Sequence, residues 1–488
     1  MGIVLKQSFQ NTVTTFIGFA FGAVNTLFLY TNILAPKYYG LVTFILATGA
    51  ILMPLMALGV HNATIKYYSA QNEQSKNGFI TLMLLSPLMI LGALSLLTWF
   101  FYEPIALFLS KENPIVKDYV WYVFLVGMAM AYFEIFFALS KVYFKSVFGN
   151  FMKEVFVRVC VSILLGLLYF EVISLDFFLK ALVGVYLLRT LCMKLYAFRL
   201  HRPVLDFKFP KESRTILGYG ILMILGGSVA LILLEVDKFM INQFIVLDNV
   251  AYYSVAGYIA SSIVVPARAM NQITYPMTAN YLNTGNIFEL EQLYKKTSLT
   301  SFIASGLLFV LIILNIEDLF LMLPEDYRGG FFIVLLIGMA KVFDSILGNI
   351  NAVLYYSEYY KVVLLIGICF ALATILLNLW LIPVYGIEGA ALASFLSIII
   401  FNLAKLVFVK LKFDFLPFTK ATFKVFATLV LLSSLFYLLQ FPFHPIINIG
   451  LKSLLIVVMY VGILYRFNIS EDVTGFLSKW LKKIPRSE

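Results

Sequence analysis

The feature that most constrains this chain is a succession of apolar runs, each about 20 residues long, none with the period-two alternation that a membrane-spanning strand requires. In hydrocarbon every backbone N–H and C=O must find its partner inside the protein, so runs of this length and pattern imply spanning helices. They fall at residues 8–34, 41–60, 78–101, 119–140, 154–173, 177–198 and 215–236, and again at 250–273, 297–316, 331–354, 361–382, 387–409, 422–440 and 446–465. The expected fold is therefore an all-α integral membrane protein of about 14 transmembrane helices. With 61% hydrophobic and only 13% charged residues in 488, no stretch between the runs has the composition of a soluble domain. The first run is long enough to span and lacks a small-residue cleavage site, so it reads as a retained helix and not as a secretory signal.

Charge sets the topology. Alternating the spans puts about 25 basic residues on one side, Lys153 and Lys405 among them, and about six on the other: Lys37, Lys111, Lys117, Lys180, Lys238 and Arg328. The richly basic side is read as cytoplasmic, with both termini there. The net charge of +10 then belongs to loops beside apolar runs, which favours anionic lipid of the inner leaflet as a partner over nucleic acid. Beyond the last span, residues 472–484 carry Phe476, Leu477, Trp480, Leu481 and Ile484 on one helical face near Lys479, Lys482 and Lys483, the pattern of an interfacial helix. Cys160, Cys192 and Cys369 lie inside apolar runs, and His61, His201 and His444 are far apart, so neither a disulfide frame nor a metal set is expected, and no cofactor.

The chain also repeats itself. LAPKYYGLVTF, from Leu34, leads into the second span and VLDNVAYYSVAGY, from Val246, into the eighth; each is a turn with a tyrosine pair, followed at a similar offset by Pro54 or Pro266. Proline frees a backbone carbonyl and kinks a helix, and matched interruptions in two halves point to hinges beside a transport path. A six-span repeat is even, so the halves share one orientation and an axis along the membrane normal. The expected organisation is a six-helix lobe at 1–200, a basic cytoplasmic linker at 201–214, a second six-helix lobe at 215–412, two extra helices at 413–466 and an amphipathic basic tail at 467–488.

Three stretches carry a family resemblance: NILAPKYYGLVTFILATGAILMPLMALGVHNATIKYYS from Asn32, EVDKFMINQFIVLDNVAYYSVAGYIA from Glu235, and LLNLWLIPVYGIEGAALASFLS from Leu376. Here the sequence resembles the oligosaccharide flippase family of polysaccharide biosynthesis proteins, in the multidrug/oligosaccharidyl-lipid/polysaccharide exporter superfamily. In the second stretch Asp237, Lys238 and Tyr253 match the family's acidic-basic pair and tyrosine-led helix, and in the third Pro383, Gly386, Gly389 and Ala390 match its interhelical turn. The resemblance implies a flippase that moves a polyprenyl-diphosphate-linked oligosaccharide to the outer leaflet of a bacterial inner membrane by alternating access, alongside polysaccharide assembly proteins.

Such a cargo needs cations and polar groups facing a wet interior, so ionisable residues deep in spans are the candidates. Arg189, about 15 Å from the cytoplasmic end of its helix, is the leading diphosphate partner. Lys341 is a second, with Asp344 three residues on as a cation- or proton-binding carboxylate, although the two read equally as a self-neutralising pair. Arg158 is a substrate candidate, or a rim salt bridge with Glu154; Arg268 guides the head group, or anchors to lipid phosphate. Glu134 is the other ion-coupling candidate, and Asp237 with Lys238 is read as a structural pair. Asn25, Asn378 and Asn402 suit interhelical hydrogen bonds.

An enzyme, such as a membrane polymerase or glycosyltransferase, would need a substantial outer loop with catalytic acids, and the longest here is about 102–118. Neither a phosphate-binding nucleotide loop nor a His-Glu-x-x-His motif is present. The closer alternative is a cation-coupled multidrug or toxin exporter of the same superfamily, whose cationic cargo the candidate cations here would repel.

Overall fold

The computed structural model describes residues 2–227, 229–470 and 474–475. Among them the chain is helical with no strand. Helix α1 is Gly2–Ala23 continued through a π-helical turn, Val24–Leu29, into Tyr30–Ile33; α2 is Pro36–Met56, continued after a turn by Val60–Tyr67. Then come α3 (Glu73–Phe100), α4 (Val120–Val142) and α5, which passes from Val147–Phe151 through the π-helical Met152–Phe156 to Val157–Tyr169. Helix α6 is Leu175–Leu200, α7 is Ser213–Gly227 with Val229–Phe244, and α8 joins Asp248–Ser261 to Val265–Asn283 through the 3-10 turn Ser262–Val264. Helix α9 is Ile287–Leu314, α10 is Phe331–Ile346 with Ile350–Tyr356, α13 is Lys420–Tyr437 and α14 is Pro445–Arg466. Between them, Tyr360–Phe413 is non-helical at Gly386, with α11 before that break and α12 after it.

Each expected span thus coincides with a helix. Nine helical stretches among the described residues are individually long and apolar enough to cross a membrane, and the bent α10 makes a tenth. That count takes α11 and α12 as one stretch; α5 is interrupted by its π turn, the described stretches of α7 are each shorter than a span, and α6 carries Lys180, Arg189, Lys194 and Arg199 along its length. The interfacial helix expected at 472–484 lies outside the described residues apart from 474–475.

Local chemistry explains the ends and breaks. Asn72, Ser174 and Asn286 cap α3, α6 and α9, each accepting a hydrogen bond from an otherwise orphaned N–H of the first turn. Thr419 and Thr422 form a capping box at α13. Helix α2 breaks just after Pro54, where Leu58 and Gly59 take positive φ, and α8 breaks just before Pro266. Both prolines therefore flank an interruption, from opposite sides. At the α11–α12 turn Gly386 has φ 60°, and the Cα of Gly389 lies so close to the carbonyl of Leu381 that a Cβ there would sit 2.1 Å from its oxygen; the two glycines of the motif serve conformation and close approach respectively. After α12, Asp414 adopts a left-handed conformation, and the hydrogen bond from Lys410 holds its carboxyl below the usual range.

Contacts divide the chain into two compact units, Met1–Val255 with Gly367–Ala390, and Ala256–Ile366 with Ala391–Glu488. This division follows packing, so it need not coincide with the lobes expected from the repeat: α7 and much of α11 pack with the first unit. The first unit's core contains Met56, Phe79, Met83, Phe133, Ile135, Met193 and Ile216. The break in α2 closes on α7 in this unit, since a Cβ on Gly59 would lie 2.0 Å from the carbonyl oxygen of Gly220. The tyrosine pairs of the repeat behave alike here. Tyr39 is buried and stacks on Tyr30 of the preceding helix, and Tyr253 is buried and donates to Asp237 of its own preceding helix, at 2.5 Å.

In the second unit Phe302, Val425, Leu432, Ile456 and Tyr460 join α9 to the added pair α13 and α14. Lys452 of α14, 6% exposed, donates to the carbonyl of Leu314 at 2.7 Å, placing a cation at the C-terminal end of α9. The break in α10, a 57° bend, is held by side chains: Ser298 donates to the carbonyl of Ile346 at 2.5 Å, while Asn349 accepts from Thr297 at 3.0 Å and donates to Thr278 at 2.5 Å. Freed backbone groups at membrane depth require such partners.

Candidate functional site

In the first unit, α4, α5 and α6 bring charged side chains together. Arg189 of α6 is 6% exposed; its guanidinium carbon lies 4.1 Å from the centroid of Phe133 on α4 and 4.9 Å from that of Tyr186 one turn earlier on α6. Its Nε is buried with no hydrogen-bond partner. Adjacent to Phe133 in sequence, Glu134 forms a 2.5 Å ion pair with Lys153, which stands in the π-helical turn of α5. From the same turn Glu154 pairs with Arg158 at 3.0 Å, and Arg158 also donates to the Glu154 carbonyl at 2.8 Å. Glu134 and Glu154 are both within electrostatic range of Arg189.

The irregular turns are part of this construction. Asn25, in the π turn of α1, donates to the carbonyl of Arg158 at 2.8 Å and accepts from Ser162 at 2.6 Å. Gly18 of α1 lets that helix approach, since a Cβ there would meet the Glu154 carbonyl at 2.5 Å and the Arg158 guanidinium at 2.8 Å. π-helical turns expose carbonyls that a straight helix would use internally, and they recur at functional sites. Chemically, the cluster offers a planar cation stacked on aromatic rings, with two ion pairs beside it. A guanidinium of this kind suits bidentate recognition of an oxyanion.

The second unit holds a different arrangement on α10 and α12. Asp344 accepts from Asn402 at 3.2 Å, and Lys405 donates to Asn351 at 3.0 Å, with its ammonium 4.3 Å from the ring centroid of Phe401. The two bonds straddle the break in α10. Lys405 is 1% exposed, and its ammonium has three donors with one hydrogen-bonded. Lys341, three residues before Asp344, stands on the same helix.

The sequence-derived candidates distribute as follows. Arg189, Arg158 and Glu134 share the first cluster, and Asp344 belongs to the second. Arg268, just past the break in α8, is exposed and makes no hydrogen bond or ion pair among the described residues. Lys238 pairs with Glu235 at 2.7 Å, whereas Asp237 accepts from Tyr253 at 2.5 Å and from Asn378 at 2.9 Å, tying α7, α8 and α11 together within the first unit. Asn25, Asn378 and Asn402 each bond to another helix.

Two members were missed. Lys153 and Lys405 read as cytoplasmic charges, yet Lys153 is the partner of Glu134 and Lys405 is fully enclosed. Lys405 lies inside the twelfth expected span, residues 387–409, and that position was the available signal. Among the described residues no group of three His, Cys, Asp or Glu side chains could hold a metal ion, and the three cysteines are free.

Comparison with known proteins gives this architecture its class. A solved structure of the lipid II flippase MurJ in an inward closed conformation aligns with a TM-score of 0.72 at 16% identity, covering 94% of this chain and 99% of that one. An inward-facing multidrug-resistance MATE transporter of the MOP superfamily aligns with a TM-score of 0.56 at 14% identity, covering 85% and 95%. A MOP-superfamily transporter from Pyrococcus furiosus gives 0.57 at 12%, covering 84% and 95%. The fold is that of these multi-pass membrane transporters, with about 14 helices. The profile of the polysaccharide biosynthesis protein family matches residues 4–282, and the chain belongs to that family. No curated protein matches.

Proposed function

We propose that this protein is a flippase that moves a polyprenyl-diphosphate-linked oligosaccharide from the cytoplasmic to the outer leaflet for surface polysaccharide assembly. The observation that carries the reading is Arg189: a buried guanidinium, stacked on two rings with its Nε unbonded, in a chain of the polysaccharide biosynthesis family. Holding such a cation in a membrane bundle is costly, and it is kept where an anion has to be received. Arg189 takes the diphosphate, Arg158 and Lys341 extend the cationic path, and Arg268 guides the head group. Glu134 and Asp344 supply ion coupling. Pro54 and Pro266 act as hinges for alternating access of two six-helix lobes, at 1–200 and 215–412, joined by the linker at 201–214. The site of action is a bacterial inner membrane with both termini cytoplasmic, next to polysaccharide assembly proteins, and the chain performs transport without covalent catalysis.

The likeness in fold to MATE transporters keeps a cation-coupled drug exporter as the second reading. One experiment separates the two: proteoliposomes carrying fluorescent lipid-linked oligosaccharide are scored for leaflet transfer, and a parallel set for export of a cationic dye. Protein-dependent transfer of the lipid with no dye export is the expected result. Dye export without lipid transfer would replace the flippase reading by the exporter.

A further inference from the structure

The linker at 201–214 is the most polar stretch in mid-chain by sequence, yet its structure is not that of a solvated tether. Its backbone is strapped to α3: Thr81 accepts from the N–H of Asp206 at 3.1 Å, and the Lys208 carbonyl sits where a Cβ on Gly78 would meet it at 2.0 Å. At its start His201 bonds to Asn77 at 3.4 Å and stacks on Tyr143. The strap leaves its apolar side chains uncovered: Val204, Leu205, Phe207 and Phe209 are 61%, 68%, 68% and 44% exposed. Between and beside them Arg202, Lys208, Lys211 and Arg214 are exposed and make no ion pair among the described residues, while Asp206 is occupied locally by the N–H of Lys208.

The depth at which the strap is fastened gives its surroundings. The apolar stretch Gln74–Phe100 has 27 residues, which is about 40 Å of helix, equal to a bilayer including both headgroup layers. Gly78 and Thr81 stand about 6 and 10 Å from its start, so the strap runs at the boundary between headgroups and acyl chains. Aromatic and aliphatic side chains interleaved with unpaired cations at that depth match an interfacial anchor: apolar groups sink below the phosphates and Lys and Arg bind them. We infer that residues 202–214 form an interfacial strap that docks on anionic phospholipid. The occupant follows from charge complementarity, and the inference depends on the chain's being membrane-embedded, not on its cargo.

A nitroxide at position 207, in a variant with Cys160, Cys192 and Cys369 replaced by serine, tests this in nanodiscs of phosphatidylcholine with and without phosphatidylglycerol. Labels at Leu431 and Glu325 calibrate lipid and water. Oxygen is expected to relax the label severalfold more than a water-soluble nickel chelate when phosphatidylglycerol is present. That preference should shrink without the anionic lipid, and also when Arg202, Lys208, Lys211 and Arg214 become glutamine. Relaxation dominated by the chelate in both lipids would show a solvated tether and overturn the inference. A label that neither agent reaches would overturn it too, in favour of a protein covering the strap. If the cysteine-free chain does not fold, Phe207→Trp in the native-cysteine chain gives the same decision, its added emission being quenched, or not, by lipids brominated near the headgroup.

Discussion

The two charge clusters, one in each unit, solve the same problem, charge inside a membrane bundle, in opposite ways. In the first, charges meet directly: Glu134 with Lys153 at 2.5 Å and Glu154 with Arg158 at 3.0 Å, leaving Arg189 on aromatic faces. In the second, Lys405 and Asp344 each take an asparagine, Asn351 and Asn402, on either side of the break in α10. A direct pair largely offsets the cost of removing charge from water, whereas an amide offsets only part of it. The first cluster therefore reads as a braced platform for one free cation, and the second as an arrangement maintained at the expense of stability.

The largest expected effect tests what the bracing is for. Arg189→Ala should slow leaflet transfer in proteoliposomes by about 100-fold or more, the scale of losing a buried charge-assisted contact. Arg189→Lys should recover only a minor part, because an ammonium can neither present a planar fork nor stack as a guanidinium does. Thermal unfolding of both variants should stay near that of the parent. Wild-type transfer by Arg189→Ala at equal protein density would show that the platform braces structure alone.

The helices were legible in the sequence because hydrophobic run length is a property of the chain itself; all the expected spans coincide with helices, even where π turns or prolines interrupt them. The close approaches were partly legible, through Gly386 and Gly389 in a recognisable turn. The charge clusters were less so. Nothing in sequence spacing joins Glu134 to Lys153, since that pair depends on how α4 and α5 cross and on a π turn that rotates the start of α5. Lys405 was passed over as a site residue for a related reason: loop and span ends look alike when a helix runs on beyond its apolar core, as α12 does to Phe413. Lys452 was overlooked because its partner, the Leu314 carbonyl, is a backbone group without a sequence signature.

A middle-sized effect contrasts the two lysines by sign. Lys153→Met strands Glu134, whose side chain is 14% exposed, and should destabilise the detergent-solubilised protein by about 1–2 kcal/mol, discounted because the Lys153 side chain is itself 43% exposed. Lys405→Met removes an enclosed ammonium with a neutral partner and should be neutral or stabilising by about 1 kcal/mol. The same substitution should reduce transfer, since a residue that costs stability is retained for what it does. A Lys405→Met protein that melts lower than Lys153→Met would reverse the comparison.

The smallest effect is the most specific. If Glu134 and Lys153 are one interacting unit, a double-mutant cycle with Glu134→Gln and Lys153→Met should return a coupling of about 1 kcal/mol or more. The cycle of Asp344→Asn with Lys405→Met should return under about 0.5 kcal/mol, because the two charges act on separate amides and feel each other only at a distance. Unfolding midpoints from one detergent give both cycles. A large coupling between Asp344 and Lys405 would mean that the asparagines relay the interaction across the break in α10, so that the second cluster also pairs its charges and the contrast between the clusters is one of distance alone.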